Sequence, residues 1–182
     1  MMGSGKSTVG RRLAAALGRR FVDADIELER RCGVPIPTIF ELEGEAGFRR
    51  REAALIAELV MPASLVLATG GGAVIDPNSR QLMHQHGHVI FLEASLADLW
   101  YRLRRDRSRP MLAAADPRAR IESLLKQREP WYREVAHQTV MTGRQAIGRT
   151  VAEIVAHLPQ ELRPARSPDR PPTSAGDQPE ST

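Results

Sequence analysis

The segment Gly3-Ser4-Gly5-Lys6-Ser7-Thr8, with a helical pattern opening directly behind it, constrains this chain more than any other feature. Glycines let a backbone curl until successive N–H groups point at one anion. A helix that starts there presents its N-terminal partial charge to the same anion. Lys6 can reach β- and γ-phosphates as a flexible point charge, and Ser7 can ligate Mg²⁺. A glycine-rich turn carrying GKST by chance is the competing reading, and the immediate helix argues against it. Lys6 stands out further because only Lys6 and Lys126 are lysines among 26 basic residues.

The full pattern G-x-x-x-x-G-K-[ST] places its first glycine one position before Met1, and the strand that feeds such a loop before that. That strand is usually central, and burying five or six apolar side chains is worth about 1.5–3 kcal/mol each. We therefore expect the natural chain to begin some ten residues or more upstream, which the intact mass of the native protein checks.

Apolar spacing at Val9, Leu13 and Leu17 predicts a helix over 6–17, stopped by Gly18. Phe21-Val22 reads as a strand running into Asp23-Ala24-Asp25. Thr38 and Glu41 have capping-box spacing and predict a short helix ended by Gly44; a second helix follows through Phe48, Glu52, Leu55, Ile56 and Leu59. Strands are expected at 64–69, 88–93 and 138–141, and helices at 78–86 and around Leu96, Leu99, Trp100 and Leu103. Two more helices, at 121–127 and 131–137, precede a last one carrying Val151, Ile154, Val155 and Leu158. Alternating strands and helices predict an α/β domain with a parallel sheet flanked by helices. The Arg-, Asp- and Pro-rich stretch 105–117 reads as a mobile loop. Residues 161–182 read as a disordered tail, too poor in apolar residues to offset their ordering entropy.

Composition excludes several classes. No apolar run approaches the ~18 residues of a membrane span, and no secretory signal is visible. One cysteine, Cys32, leaves no internal disulfide and fits a reducing compartment. The charge of +4 comes from 26 basic and 22 acidic residues interleaved, without the basic run of a nucleic-acid arm. Such a balance equally attracts ATP and an anionic small molecule. His84, His86 and His88 lack the spacing of a zinc site on one helix face.

Five further segments carry a specific resemblance: FVDADIELE (21–29), IFELEGEAGFRRRE (39–52), ATGGGAV (68–74), RSRPML (107–112) and KQREPWYREVA (126–136). With GSGKST, and in this order, they make the chain similar to shikimate kinases over nearly everything but the tail. The resemblance implies a P-loop kinase fold over 1–160, with a five-stranded parallel sheet whose first, central strand is missing from this chain. It implies a substrate-binding region at 24–60 and an ATP-covering lid at 105–117. The implied reaction is phosphorylation of the 3-hydroxyl of shikimate by MgATP, on the way to chorismate and the aromatic amino acids.

The resemblance also assigns residues. Arg49 and Arg128 match a carboxylate clamp, a role suited to planar guanidinium groups; Arg50 and Arg51 read as solvated helix arginines. Asp25 matches the acid that orients or deprotonates the attacking hydroxyl, and Asp23, with Ser7, the acid near Mg²⁺. Asp-Ala-Asp alone would equally suit a helix cap; beside a phosphate loop we read it as catalytic. Gly70, Gly71 and Gly72 bring backbone close to substrate and γ-phosphate. Arg109 matches the lid arginine that stabilises transferring charge, with Lys6 completing the catalytic set. ATP contacts fall on Gly3, Ser4, Gly5, Lys6, Ser7, Thr8, Arg102, Arg109 and Gln145. Near Gln145 the sequence departs from the family, whose Asp-Thr is here Met141-Thr142. Phe48 and Glu52 match pocket-wall and arginine-supporting positions. A cytoplasmic monomer that binds neither nucleic acid nor membrane is expected. The alternatives are another P-loop metabolite kinase, such as a gluconate kinase, and a non-catalytic kinase-like ligand sensor. No N-K-x-D segment supports a GTPase.

Overall fold

The computed structural model of the chain describes residues 1–61, 64–104, 116–143 and 145–164. The first helix, α1 (Lys6–Leu17), has the predicted bounds: Gly5 (φ 93°) enters it, and Gly18 (φ 63°) closes it with its N–H on the Ala14 and Ala15 carbonyls. It lies hard against β1 (Arg20–Asp23), since a Cβ on Gly10 would come within 2.8 Å of the Phe21 ring. Next comes α2 (Ala24–Cys32), with Asp23 as its N-cap. Helix α3 (Ile36–Leu59) opens at Pro35, not at the predicted Thr38, because Pro35 already supplies extended backbone and Thr38 donates its N–H back to Pro35 O. Gly44 (φ 67°, ψ −179°) interrupts α3 where a helix end was predicted.

Strand β2 (Leu65–Ala68) is followed by α4 (Pro77–His86), β3 (Ile90–Glu93), α5 (Leu96–Leu103), α6 (Pro117–Val135), β4 (Gln138–Met141) and α7 (Ile147–His157). The two helices predicted between 121 and 137 are one, α6, which carries Pro130 internally and starts on the Asp116 cap. It stops before His137 because the N–H groups of His137 and Gln138 bond Val89 O and begin the β4 register. The first residues of the tail predicted from 161 are among those described. Gln160–Leu162 forms a 3₁₀ turn, and Arg163 donates to the Leu158 and Ala156 carbonyls. Residues 165–182 lie outside the described residues.

The strands pair in parallel, β1 with β2 (Arg20 opposite Leu65) and β3 with β4 (Ile90 opposite Gln138). The described residues hold four strands in two separate pairs, as expected of a five-stranded sheet that lacks its central strand. Between them β2 and β3 border a slot of about 520 Å³, lined also by Val9, Leu13, Ile154 and Leu158. The expected central strand has no counterpart among the described residues, and without it β2 and β3 have no shared backbone partner.

Alternation along the strands sorts the core. Leu92 and Val140 pack with Val9 and Leu13 of α1 and Val151 and Ile154 of α7. Phe91 turns to the opposite cluster with Leu99, Ile121 and Tyr132 of α5 and α6. Leu28, Ile39, Phe48 and Leu55 bury α2 and α3 against Val22 and Leu67. The C-terminal ends of β1 and β2, side by side in register, are thus held from both faces. In parallel sheets this is where ligands bind. No helix of the described residues is long and apolar enough to cross a membrane.

At the opposite end of β3 and β4 three histidines stack. The His84 and His137 rings lie 4.3 Å apart, and those of His88 and His137 5.2 Å. Burial lowers the pKa of His88 and His137 below the ordinary 6.5. In His137 the neighbouring His84 and His88 add to the effect; at His88, Gln138 and Glu161 act in the opposite direction. The unfolded chain therefore binds these protons more readily, so this contribution to stability is whole above pH 6.5 and is lost as pH falls below it. We expect Tm to drop slightly between about pH 7.5 and 5.5, with a flatter profile for His88→Gln. Identical profiles for the two proteins would exclude the stack as the cause.

Candidate active site

The phosphate loop is built as a cradle strapped from outside. Gly3 (φ 74°) and Gly5 (φ 93°) hold conformations open to glycine. At Gly3 a Cβ would also sit 2.9 Å from Leu103 Cγ. Arg102 Nη1 donates to Gly3 O (3.0 Å) and its Nη2 to Gly143 O (2.8 Å). Thr142 Oγ1, in a buried residue, has one hydrogen to donate and lies within bonding distance of both Ser4 O (3.2 Å) and Glu93 O (3.0 Å). Each carbonyl so engaged turns the next N–H the other way. Ser4 Oγ and Lys6 Nζ both donate to Met1 O at 2.8 Å, which fixes the start of the loop and holds the lysine across it.

One turn along α1, Ser7 Oγ donates to Asp23 Oδ2 at 2.5 Å, while Asp23 Oδ1 accepts the Asp25 N–H at 3.1 Å. Asp23 thus serves both readings of the Asp-Ala-Asp sequence: it caps α2 with one oxygen and faces the loop with the other. A hydroxyl and a carboxylate beside a phosphate cradle suit Mg²⁺, a hard cation usually held by one or two protein oxygens plus substrate phosphates. Thr8 is exposed in the first turn of α1.

Across from the loop, the three glycines after β2 lie close against their neighbours, side chains at Gly70 and Gly72 and backbone at Gly71. A Cβ on Gly70 would overlap Glu52 Oε1 and lie 2.9 Å from Asp25 Oδ1; one on Gly72 would overlap the Arg49 guanidinium; one on Gly71 would meet Met2 N at 3.0 Å. None of the three has positive φ, so close approach is their reason. Arg49 Nη1 pairs with Glu52 Oε2 at 2.6 Å and Nη2 with Glu45 at 3.1 Å, over the face of Phe48. Glu52 is 4% exposed and its Oε1 has no hydrogen-bond partner. Burial raises its pKa, Asp25 adds to this, and Arg49 and Arg128 oppose it. Arg128, 3% exposed, donates Nη1 to Gly71 O at 3.2 Å and leaves its buried Nε without a partner. A cavity of about 300 Å³ adjoins this group, lined by Arg49, Glu52, Gly72, Ala73, Ile75 and Asp76.

The fold therefore gathers Lys6, Ser7, Asp23, Asp25, Arg49, Gly70, Gly71, Gly72 and Arg128 around the ends of β1 and β2. Arg50 and Arg51 are exposed, Arg51 pairing with Glu43. Arg102 joins the loop to the β4–α7 turn. Gln145 spends its amide on that turn, donating to Met141 O (2.8 Å) and Thr150 Oγ1 (3.1 Å). Arg109 and most of the predicted lid lie outside the described residues. Two residues were not singled out from sequence for what they do here. Thr142 straps the loop. Tyr132 donates to Gly71 O at 2.5 Å; the helix break expected between 127 and 131 hid its place one turn after Arg128 on α6.

The sequence profile of the shikimate kinase family matches residues 2–159. A shikimate kinase of Burkholderia pseudomallei is 51% identical over 158 residues, covering 87% of this chain and 86% of the relative. One of Bordetella pertussis is 52% identical over 87% of this chain and 75% of its own. Among solved structures, a shikimate kinase from Acinetobacter baumannii in complex with shikimate superposes with a TM-score of 0.83 at 46% identity, covering 85% of this chain and 86% of that one. The Aquifex aeolicus shikimate kinase gives 0.75 at 32% identity, over 86% and 90%.

Proposed function

The chain belongs to the shikimate kinase family, and from that premise we propose that it transfers the γ-phosphoryl group of ATP to the 3-hydroxyl of shikimate. The observation that carries this beyond family membership is an arginine pair, Arg128 buried and Arg49 half-buried. Arg128 holds a desolvated Nε with no protein acceptor, and Arg49 is propped by Glu52. Together they form a clamp for a small carboxylate beside a phosphate cradle. The related Acinetobacter structure holds shikimate itself.

In the proposed reaction the carboxylate of shikimate enters between Arg49 and Arg128, and its ring hydroxyls reach Asp25. Asp25 takes the 3-hydroxyl proton as that oxygen bonds to the γ-phosphorus and the bond to the bridging oxygen of ADP breaks. Lys6 leaves Met1 O for the β- and γ-phosphate oxygens and follows the charge that builds on them. Ser7 and Asp23 would hold Mg²⁺, which supplies charge neutralisation on the phosphates. Arg109 completes the neutralisation from the lid. Catalysis of this kind is positioning plus electrostatics. Arg102 stands where it can border the nucleotide through Gly3. We read the enzyme as a cytoplasmic monomer that needs no nucleic acid or membrane.

A panel of hydroxy acids and polyols with coupled ADP detection tests the assignment. Shikimate with MgATP is expected to turn over at least 100-fold faster than gluconate, since a rigid ring carboxylate fits a fixed two-arginine clamp. Turnover of gluconate at an equal or greater rate would move the assignment to another metabolite kinase. No turnover of either would favour a ligand-sensing module.

A further inference from the structure

The Gly71 carbonyl, like Met1 O in the phosphate loop, accepts from two side chains. Tyr132 Oη donates to it at 2.5 Å and Arg128 Nη1 at 3.2 Å. A carbonyl has two lone pairs, and both are engaged here. Both donors leave the same face of α6, one turn apart, and both residues are buried, at 6% and 3% exposure. They differ in freedom. The Tyr132 ring is stacked on Phe91 of β3 with centroids 5.1 Å apart and planes 22° apart, and Phe91 lies beneath the Arg133 guanidinium. A ring wedged in this way has little choice about where its hydroxyl points. Arg128 instead has a spare Nε and a longer bond to the same oxygen.

We propose that Tyr132 is a positioning residue that holds the Gly71 carbonyl so that Arg128 can leave it for the substrate carboxylate. A buried acceptor abandoned by its partner carries the full desolvation penalty, so Arg128 could not turn to the substrate unless another donor stayed behind. Tyr132 is that donor. It also keeps the Gly70–Gly72 turn in place while the exchange occurs, with Gly70 against Asp25 and Glu52 and Gly72 against Arg49. In a Tyr132→Phe enzyme the Gly71 carbonyl would have Arg128 as its remaining side-chain donor, and every substrate carboxylate would have to compete with it. This inference rests on the shikimate reading above.

The experiment compares the parent enzyme and Tyr132→Phe with two acceptors: shikimate, and the analogue whose carboxylate is reduced to a hydroxymethyl group. The variant is expected to raise KM for shikimate about five- to ten-fold, the worth of one hydrogen bond, with kcat and KM for ATP within two-fold. KM for the uncharged analogue should be the same in both enzymes, because Arg128 has no anion to reach. A shikimate KM within two-fold of the parent overturns the proposal. So does an equal rise for both acceptors, which would make Tyr132 a brace for the turn and nothing more. A fall in Tm with all constants shifted together counts against it in the same way. If the parent enzyme itself fails to phosphorylate shikimate, the functional reading falls and takes this inference with it. An active parent with an unaffected variant sinks only the role of Tyr132.

Discussion

Asp25→Asn should lower kcat for shikimate about 10³-fold, within the 10²–10⁴ range of a positioned base, while ATP affinity stays within two-fold. Asparagine keeps the shape of the side chain and its place at the start of α2 but cannot take the hydroxyl proton. The neighbourhood makes the substitution readable. Asp25 stands beside Glu52 and Gly70, and its charge helps raise the Glu52 pKa. Neutralising it should ease the electrostatic cost of burying Glu52, so Tm should stay level or rise. A large kinetic loss without a stability loss is then the expected signature. Shikimate affinity measured by calorimetry should change far less than kcat, since the carboxylate clamp is untouched. A drop in kcat below ten-fold would remove Asp25 from proton transfer and leave it as a hydroxyl-orienting group.

The features legible in the sequence are those set by local chemistry. Helix α1 could be read because GKST fixes where it starts and Gly18 where it stops. The strands were legible as short apolar runs, and β4 was bounded to the residue. Of the candidate site, Lys6 could be read from the spacing of GSGKST, whereas Asp25, Arg49 and Arg128 were singled out by the resemblance of their segments to the family's. Effects that arise only when distant elements meet were not legible. Pro130 predicted a break that α6 does not have, and Pro35 pre-empted the Thr38 cap. Gly70 and Gly72 were read as openings for backbone amides, whereas the overlaps that exclude a side chain there come from Glu52 and Arg49, some twenty residues earlier in the chain. Tyr132 in a helix reads as core, and it is core; its hydroxyl acquires a task only because β2 delivers Gly71 to it. Met141 reads as a departure from the family's Asp-Thr, yet Thr142, the residue that matches, ties the phosphate loop to β3.

Arg49→Ala should abolish shikimate binding, with at least a 100-fold loss of affinity, while ATP still binds. It should also do more than remove a ligand. Arg49 and Glu52 pair at 2.6 Å with side chains 18% and 6% exposed, and Glu52 already has one orphaned oxygen. Removing one partner of a buried pair typically costs about 3–5 kcal/mol, because the other charge is stranded. For a domain of this size that corresponds to a Tm fall of about 6–20 °C. A weak shikimate signal from the alanine variant could then be mistaken for partial unfolding. Glu52→Gln on top of Arg49→Ala separates the two effects. The glutamine removes the stranded charge, so Tm should recover by at least half, but it supplies nothing that binds a carboxylate, so shikimate affinity should stay lost. Recovery of shikimate affinity along with Tm would show that Arg49 acts only by supporting the fold. Equal loss of ATP and shikimate binding in the stabilised double variant would take Arg49 out of the substrate site altogether. Arg49→Lys adds a third arm: it keeps the charge beside Glu52 but loses the planar fork. It should therefore hold most of the stability while recovering little of the affinity, because a point charge cannot reproduce bidentate pairing with the substrate and bonding to Glu52 at once.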